Sequence, residues 1–409
     1  MLKKDQFDAC TRYVMERSRF VIESFGPRPP GSEAERKTQE LVRADLEACC
    51  DGPVSMEEFP VAQKAFFCMQ AIGGLLSIAG FLLYRVHPVL ALGTGLLSLF
   101  ILYHQLLKYH LLLDTFFPKK PSYNVAGRQK PSGTVTRRII LNGHPDAAYE
   151  WRFNYLAPKF FPLIVLYTLA GLFISLLGSG VATLAIFVAP ESSMSLLTII
   201  WYVMACFLPG AVIGILFNNL GVVAPGANDN LTGTFLATGI LRQFREAGVQ
   251  LKNTELMAVI TGSEEAGLRG AKAWAKRHRE ECKDVETVVI AIDTIRDLEH
   301  LMIYNKDLNG TLAHDPTVCQ LLKQASLNLG LDLKWGTVTL GSSDGTAFTQ
   351  EGFKCAAVCA MDPHPAHYYH NRRDTWQDMN AECLNVTAAL LVEAIRLYDE
   401  EGLPATGKA

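Results

Sequence analysis

Three apolar runs in this chain end on acids or a histidine, the residue types that hold divalent cations and move protons. Arg138-Ile139-Ile140-Leu141-Asn142-Gly143 runs into His144 and Asp146. Leu256-Met257-Ala258-Val259-Ile260 leads through Thr261-Gly262-Ser263 to Glu264 and Glu265, and Val288-Val289-Ile290-Ala291-Ile292 ends on Asp293. Such runs read as buried strands, and in an open α/β sheet the carboxyl ends of parallel strands converge on one crevice. Asp229, in Gly226-Ala227-Asn228-Asp229-Asn230, and His370, in Tyr368-Tyr369-His370-Asn371-Arg372-Arg373-Asp374-Thr375, belong with them.

Singly, each residue has an ordinary structural role open to it. His144 suits a hydrogen-bonded strand end, Asp229 a helix N-cap, Asp293 a turn, and His370 a polar loop. Together they crowd negative charge into one crevice at a cost that calls for a cation. Nitrogen and oxygen donors without thiolate select zinc, with manganese or cobalt as substitutes. Neighbours in an extended segment point different ways, so one member of the Glu264-Glu265 pair can hold metal while the other faces a water. A water on such a metal has a pKa of about 7. A free carboxylate beside it can take the proton and pass it to a leaving amine. These residues alone do not choose which acid bridges two ions.

Composition narrows the surroundings. Hydrophobic residues make up 49% of the chain and charged ones 19%, and the surplus is concentrated in four stretches. They run from about Ala65 to Tyr84, His87 to Leu107, Phe160 to Ala189 and Leu196 to Leu220, with no Lys, Arg, Asp or Glu in their middles. Each approaches the roughly 20 apolar residues a helix needs to cross a bilayer, and none shows the polar face of a soluble helix. They predict two transmembrane hairpins, residues 65–108 and 159–220, and membrane lipids as partners. A net charge of −3 with no long basic tract excludes nucleic acid. Lys64, Lys108, Lys119, Lys120, Arg152 and Lys159 flank the hairpins on one side, while the tips offer only Arg85 and Glu191. The positive-inside rule then turns the catalytic domain of a multi-pass protein toward the cytoplasm. Ten cysteines without metal-type spacing fit free thiols in a reducing compartment.

With both hairpins set aside, residues 1–64, 109–158 and 221–409 read as one catalytic domain of α/β class. Strands are expected at Val54 to Phe59, Ser122 to Arg128 and Thr136 to Asn142, and helices after Asn230, at Ala271 to Arg279 and at Ala381 to Glu400. Alternation of this kind predicts a parallel or mixed sheet flanked by helices.

His144-Pro-Asp146, Gly226-Ala-Asn-Asp229-Asn-Leu-Thr-Gly233, Glu264-Glu265-Ala-Gly-Leu-Arg-Gly270, Ile292-Asp293 and Tyr369-His370-Asn-Arg-Arg-Asp374-Thr375 resemble, in this order, the motifs of the co-catalytic zinc aminopeptidase family. That family includes leucyl aminopeptidases, glutamate carboxypeptidase and the glutaminyl cyclases. Phe25-Gly-Pro-Arg28-Pro-Pro-Gly31-Ser32 is similar to its N-terminal motif, and Ser343-Asp344 with Phe348 to a segment before its last strand. The resemblance covers essentially all the chain outside the hairpins and implies a phosphorylase/hydrolase-like mixed sheet. It implies two zinc ions, with Asp229 bridging, His144 and Asp293 on one, Glu265 and His370 on the other. Glu264 would be the general base and acid, and Asp146 would orient His144 from behind. Asp374 reads as structural support.

The chain departs from the family pattern in one respect. The second hairpin is inserted between the His-Pro-Asp and Gly-Ala-Asn-Asp segments, and the first before the strand at Ser122. Helices leaving the rim of such a site suggest a substrate presented from a membrane. The reading that follows is a membrane-bound di-zinc amide hydrolase, an aminopeptidase for apolar or membrane-associated peptides. Alternatives are an N-acyl amino acid or lipid-linked amide deacylase, a glutaminyl cyclase-like acyltransferase, and a catalytically idle scaffold. The last would be expected to lack a ligand or the base, and none is missing. Assembly as a homo-oligomer stays open.

Overall fold

Val, Ile, Leu and Ala fill the segments that become the central strands, and their burial on both sides requires layers of helix above and below. The computed structural model describes residues 2–338, 341–364 and 366–405. Among them the strands are β1 Ser55–Val61, β2 Lys120–Gln129, β3 Arg137–Gly143, β4 Tyr149–Trp151, β5 Asn218–Val223, β6 Thr254–Ile260, β7 Glu286–Ile295, β8 Leu301–Tyr304, β9 Lys306–Asp307, β10 Leu312–Ala313, β11 Lys334–Gly336 and β12 Lys354–Ala360.

Eight of these form one mixed sheet in the order β1-β2-β6-β3-β7-β12-β8-β11. Its centre, β6-β3-β7-β12, is parallel throughout, while β2 and β8 run antiparallel to their inner neighbours. Asn142 of β3 lies level with Val259 of β6 and Ala291 of β7. The residues just beyond these strands therefore emerge side by side. Alternation along the strands assigns the two faces. Ile139, Leu141, Leu256, Ala258, Val288 and Ile290 pack in one core with the helices Lys4–Phe25, Thr232–Glu246 and Ala381–Glu401. Ala291, Ala357 and Cys359 face the other way, with Tyr304 and Val338.

The chain divides into two units. The sheet unit takes residues up to Gln63, Lys119–Ala148 and Val223 onward, and the helical unit takes Lys64–Pro118 and Tyr149–Val222. Residues 109–118 and 149–158 fall in the helical unit. Leu113 donates its N–H to Gln105 Oε1 at 3.2 Å, and β4 pairs with β5.

In the helical unit Pro88–Leu107, Pro158–Val188 and Met194–Ile215 are long and apolar enough to cross a membrane, with 20, 31 and 22 residues. Met69–Tyr84 is shorter, at 16 residues, a length of about 24 Å. The last apolar stretch, expected to stay helical to Leu220, stops at Ile215 and turns into β5 from Asn218. Asn218 and Asn219 account for the change, because their side chains are committed to polar partners within the unit. The Asn218 amide donates to Phe67 O at 2.7 Å, and that of Asn219 to Glu150 Oε1 at 3.1 Å. The same helix is re-started at Leu208-Pro209, where proline supplies no N–H to continue the ladder. Close contact between these helices depends on small residues. Gly74 lies so near Ala211 that a Cβ would collide with its carbonyl oxygen.

One buried acid fixes the start of a site-bearing strand. Asp399, on the final helix, accepts the N–H groups of Lys252, Asn253 and Thr254 at 2.8, 3.0 and 3.0 Å, where β6 begins. Asp399→Ala would leave these donors unpaired. The expected result is a loss of about 3 kcal/mol in urea unfolding followed by tryptophan fluorescence, with Asp399→Asn losing less. Unchanged midpoints in both variants would remove this role.

Candidate metal centre

His144 leaves the end of β3 between the two strands that carry its neighbours. Its Nε2 lies 3.7 Å from Asp229 Oδ1, 3.7 Å from Glu264 Oε2 and 3.9 Å from Asp293 Oδ1. His370 arrives from the loop after β12, and its Nε2 lies 3.1 Å from Asp229 Oδ2 and 3.3 Å from Glu265 Oε2. All six residues named from the sequence as ligands or base come together, as His144 with Glu264 and Asp293, and Asp229 with Glu265 and His370. Within each trio the donor atoms lie within 4.8 Å of one another. Asp229 turns one carboxylate oxygen to each histidine.

Asp146 does more than stand behind His144. One of its oxygens is 3.3 Å from His144 Nδ1, and its carboxylate accepts the N–H groups of Glu264 and Glu265, each at 3.0 Å. A single side chain thereby sets the imidazole and both glutamates. Asp374 does the same for the other arm, accepting Asn228 N at 2.8 Å and Asp229 N at 3.0 Å. The backbone here is held in unusual conformations. Ser263, Thr294 and His370 have φ of 53°, 49° and 49°, a region that L-residues occupy mainly where the surroundings impose it. Gly226 at φ 64° has no space for a Cβ, which would meet Ala147 Cβ at 2.7 Å and Arg28 Nη2 at 2.8 Å. The ring of Tyr369 stacks on His370 with centroids 3.9 Å apart.

Electrostatics match the crowding. Burial, then Glu265, Asp344 and Asp293, push the Glu264 carboxyl well above its usual range. Burial and Asp229 do the same to Glu265. Burial opposes protonation of His144, yet Glu264, Asp146 and Asp293 hold its pKa well above the ordinary imidazole value. Asp344 and Asp374 are each raised by burial to about 7.

Three buried residues around this cluster have roles that sequence reasoning misses. Glu35 accepts from Gly31 N at 2.6 Å, Ser122 Oγ at 3.0 Å and Ser263 N at 2.6 Å, fixing the turn before Glu264. Asp344, whose electrostatic neighbours include His144, accepts the hydroxyl of Thr261. Arg28 donates to carbonyls on two of the ligand loops. Their signals are present but ambiguous. Ser32 and Glu35 have the spacing of a helix-capping pair, and Ser32 does accept from Glu35 N at 3.1 Å. Arg28 and Asp344 stand in recognisable motifs whose residue types alone assign them no task.

The donors fit a cation. Two ligands about 2 Å from one ion at a tetrahedral angle lie roughly 3.3 Å apart, within the spread of separations seen here. Among the described residues His144 Nε2 and Glu265 Oε1 are buried without a hydrogen-bond partner, which protein interiors rarely tolerate unless another partner is bound.

Residues 214–395 match the sequence model of peptidase family M28. No curated protein sequence matches the chain. Among solved structures the chain is similar to a zinc aminopeptidase from Bacillus subtilis, at 14% identity with 97% of this chain and 96% of that one covered and a TM-score of 0.57. It is similar to an aminopeptidase from Aneurinibacillus sp. strain AM-1, at 14% identity, coverage of 97% and 96%, and TM-score 0.56. It is also similar to a glutaminyl cyclase from an Acidobacteriales bacterium, at 15% identity, coverage of 96% and 95%, and TM-score 0.56. Over residues 214–395, which include Asp229, Glu264, Glu265, Asp293 and His370, the chain is thus similar to peptidases of family M28, and this match with the clustered site supports a zinc-dependent peptidase-like hydrolase.

Proposed function

We propose that this chain is a di-zinc amide hydrolase of aminopeptidase type, held in a membrane by its helical unit. The observation that carries the reading is Asp229, which belongs to the trio with Glu265 and His370 and turns its other oxygen to His144 of the second trio. His144 and Asp293 would hold one ion, Glu265 and His370 the other, and Asp229 both. Bound there, the ions would activate water and polarise the scissile carbonyl.

The chain's own residues supply the proton path. Glu264 lies beside His144, with its Oε2 3.7 Å from the imidazole Nε2, and is assigned to neither ion in this reading. It would accept a proton from the attacking water and return it to the leaving amine. Asp146 holds the backbone of Glu264 and Glu265 through their amides.

Three helices of spanning length support membrane attachment, and the basic flanks support a cytoplasmic catalytic unit. Apolar or membrane-associated peptides are the substrates this reading favours, with N-acyl amino acids as the competing class. A glutaminyl cyclase-like acyl transfer is the second reading, favoured by the fold shared with the Acidobacteriales enzyme. It requires activity with one ion.

Detergent-purified protein should contain two zinc ions per chain by elemental analysis and hydrolyse an amino-acid arylamide faster than an N-long-chain-acyl amino acid. One ion with cyclisation of N-terminal glutamine would transfer the assignment to the second reading. Glu264→Gln should lower kcat by about 10²–10⁴-fold and leave both ions bound. Loss of an ion with the activity would make Glu264 a ligand instead of the base.

Membrane attachment is checked by carbonate washing of membranes, which should leave the chain in the pellet. Release into the wash would contradict it.

The buried acids set a pH dependence for the metal-free protein. Glu35 is raised to about 8, and Asp344 and Asp374 to about 7, each mainly by burial. The folded state thus keeps protons that the unfolded chain releases near pH 4 (about its unperturbed carboxyl values). Stability contributed by these groups is complete below about pH 4 and falls as pH rises toward about 8. Chelator-treated protein should melt at progressively lower temperature between about pH 5 and pH 8, and added zinc should restore more at the upper end. A flat or rising melting temperature would contradict the sign.

A further inference from the structure

The N-terminal motif around Arg28 is not used by the mechanism above, yet its arginine reaches the centre of the site. Arg28 is fully buried. Its Nε donates to Pro145 O at 2.7 Å and its Nη2 to Gly226 O at 2.9 Å. Pro145 lies between His144 and Asp146, and Gly226 opens the turn that presents Asp229. The Arg28 carbonyl in turn accepts Ala147 N at 3.0 Å. One residue thus grips both loops, from the main chain and from both edges of its guanidinium.

These are also the loops interrupted by the long helical insertion. Ala224 N donates to Ala148 O at 2.9 Å and closes the two loops at their roots. Arg28 is the second tie, nearer the ligands. A guanidinium suits this task because its planar fork holds two donors in a fixed relation, whereas an ammonium is a point donor on a flexible stem. Asp374, Asp146, Glu35 and Asp229 surround it as electrostatic partners, which offsets the cost of burying a cation.

We propose that Arg28 is a positioning residue that sets the shared carboxylate of Asp229 against His144 by spanning the Pro145 and Gly226 carbonyls. The inference rests on the two-metal reading, in which Asp229 holds both ions and its placement therefore governs their separation. Arg28 touches neither substrate nor ion in this role. It acts through the two peptide segments it joins.

The test compares Arg28→Lys and Arg28→Gln with wild type in full-length protein. Fold is followed by circular dichroism, and loading by zinc titration and by electron paramagnetic resonance of the di-manganese form, whose exchange coupling depends on metal separation. Wild type must first bind two ions with a coupled signal. If it does not, the two-metal reading fails and Arg28 is not the cause. Given a coupled wild type, folded variants should bind the second ion about 10–100-fold more weakly and show a weakened coupling. Their kcat should fall at least about tenfold with KM changed much less, and millimolar guanidinium should partly restore Arg28→Gln. Two ions bound as tightly as in wild type with unchanged coupling would overturn the proposal. So would loss of fold in both variants that neither zinc nor guanidinium reverses, since Arg28 would then be a packing residue alone.

Discussion

Carboxylates gathered at the carboxyl ends of parallel strands repel one another, and their repulsion is the constraint around which this molecule is organised. Glu264, Glu265, Asp229 and Asp293 meet around two histidines in a largely buried cluster. Burial raises the proton affinity of both glutamates, and a proton or a cation there would relieve the repulsion. Folding must hold these side chains near one another against it.

That task falls to backbone hydrogen bonds accepted by other acids. Asp146 fixes the amides of Glu264 and Glu265, Asp374 fixes those of Asn228 and Asp229, and Glu35 fixes Ser263. Each of these acids spends its oxygens largely on peptide N–H groups and neighbouring side chains of the loops, among them the Ser122 hydroxyl for Glu35 and the His144 imidazole for Asp146. Arg28 is the cation of this lower layer, and its guanidinium spans two ligand loops.

Much of this is legible in the sequence because strands and ligands leave sharp marks there. Apolar patterning places β2 and β3 at Ser122 to Arg128 and Thr136 to Asn142, and they occupy Lys120–Gln129 and Arg137–Gly143. Long apolar runs that end on His144, Glu264 and Asp293 are hard to arrange in any way except around one crevice. The lower layer is less visible. Glu35 hides behind a capping spacing, and Asp344 follows Ser343 as any turn acid might. Asp146 reads as the partner of one histidine, because sequence cannot show that its second partners are peptide N–H groups 118 and 119 residues away. The end of the last apolar stretch is misread in a different way. Hydropathy marks where a chain is apolar, but whether Asn218 ends a helix depends on partners such as Phe67 O, far away in sequence.

The position of the second insertion can be understood from the same loops. An insertion of any length is tolerated where its two ends already lie together, since the fold then loses only the weak length-dependent entropy of the added loop. Ala148 and Ala224 are such a pair, joined by a hydrogen bond at 2.9 Å, and β4 and β5 extend the pairing outward. The ends nevertheless sit on the two loops that carry His144 and Asp229. Between that root and the two residues, Arg28 joins the same loops again through the Pro145 and Gly226 carbonyls.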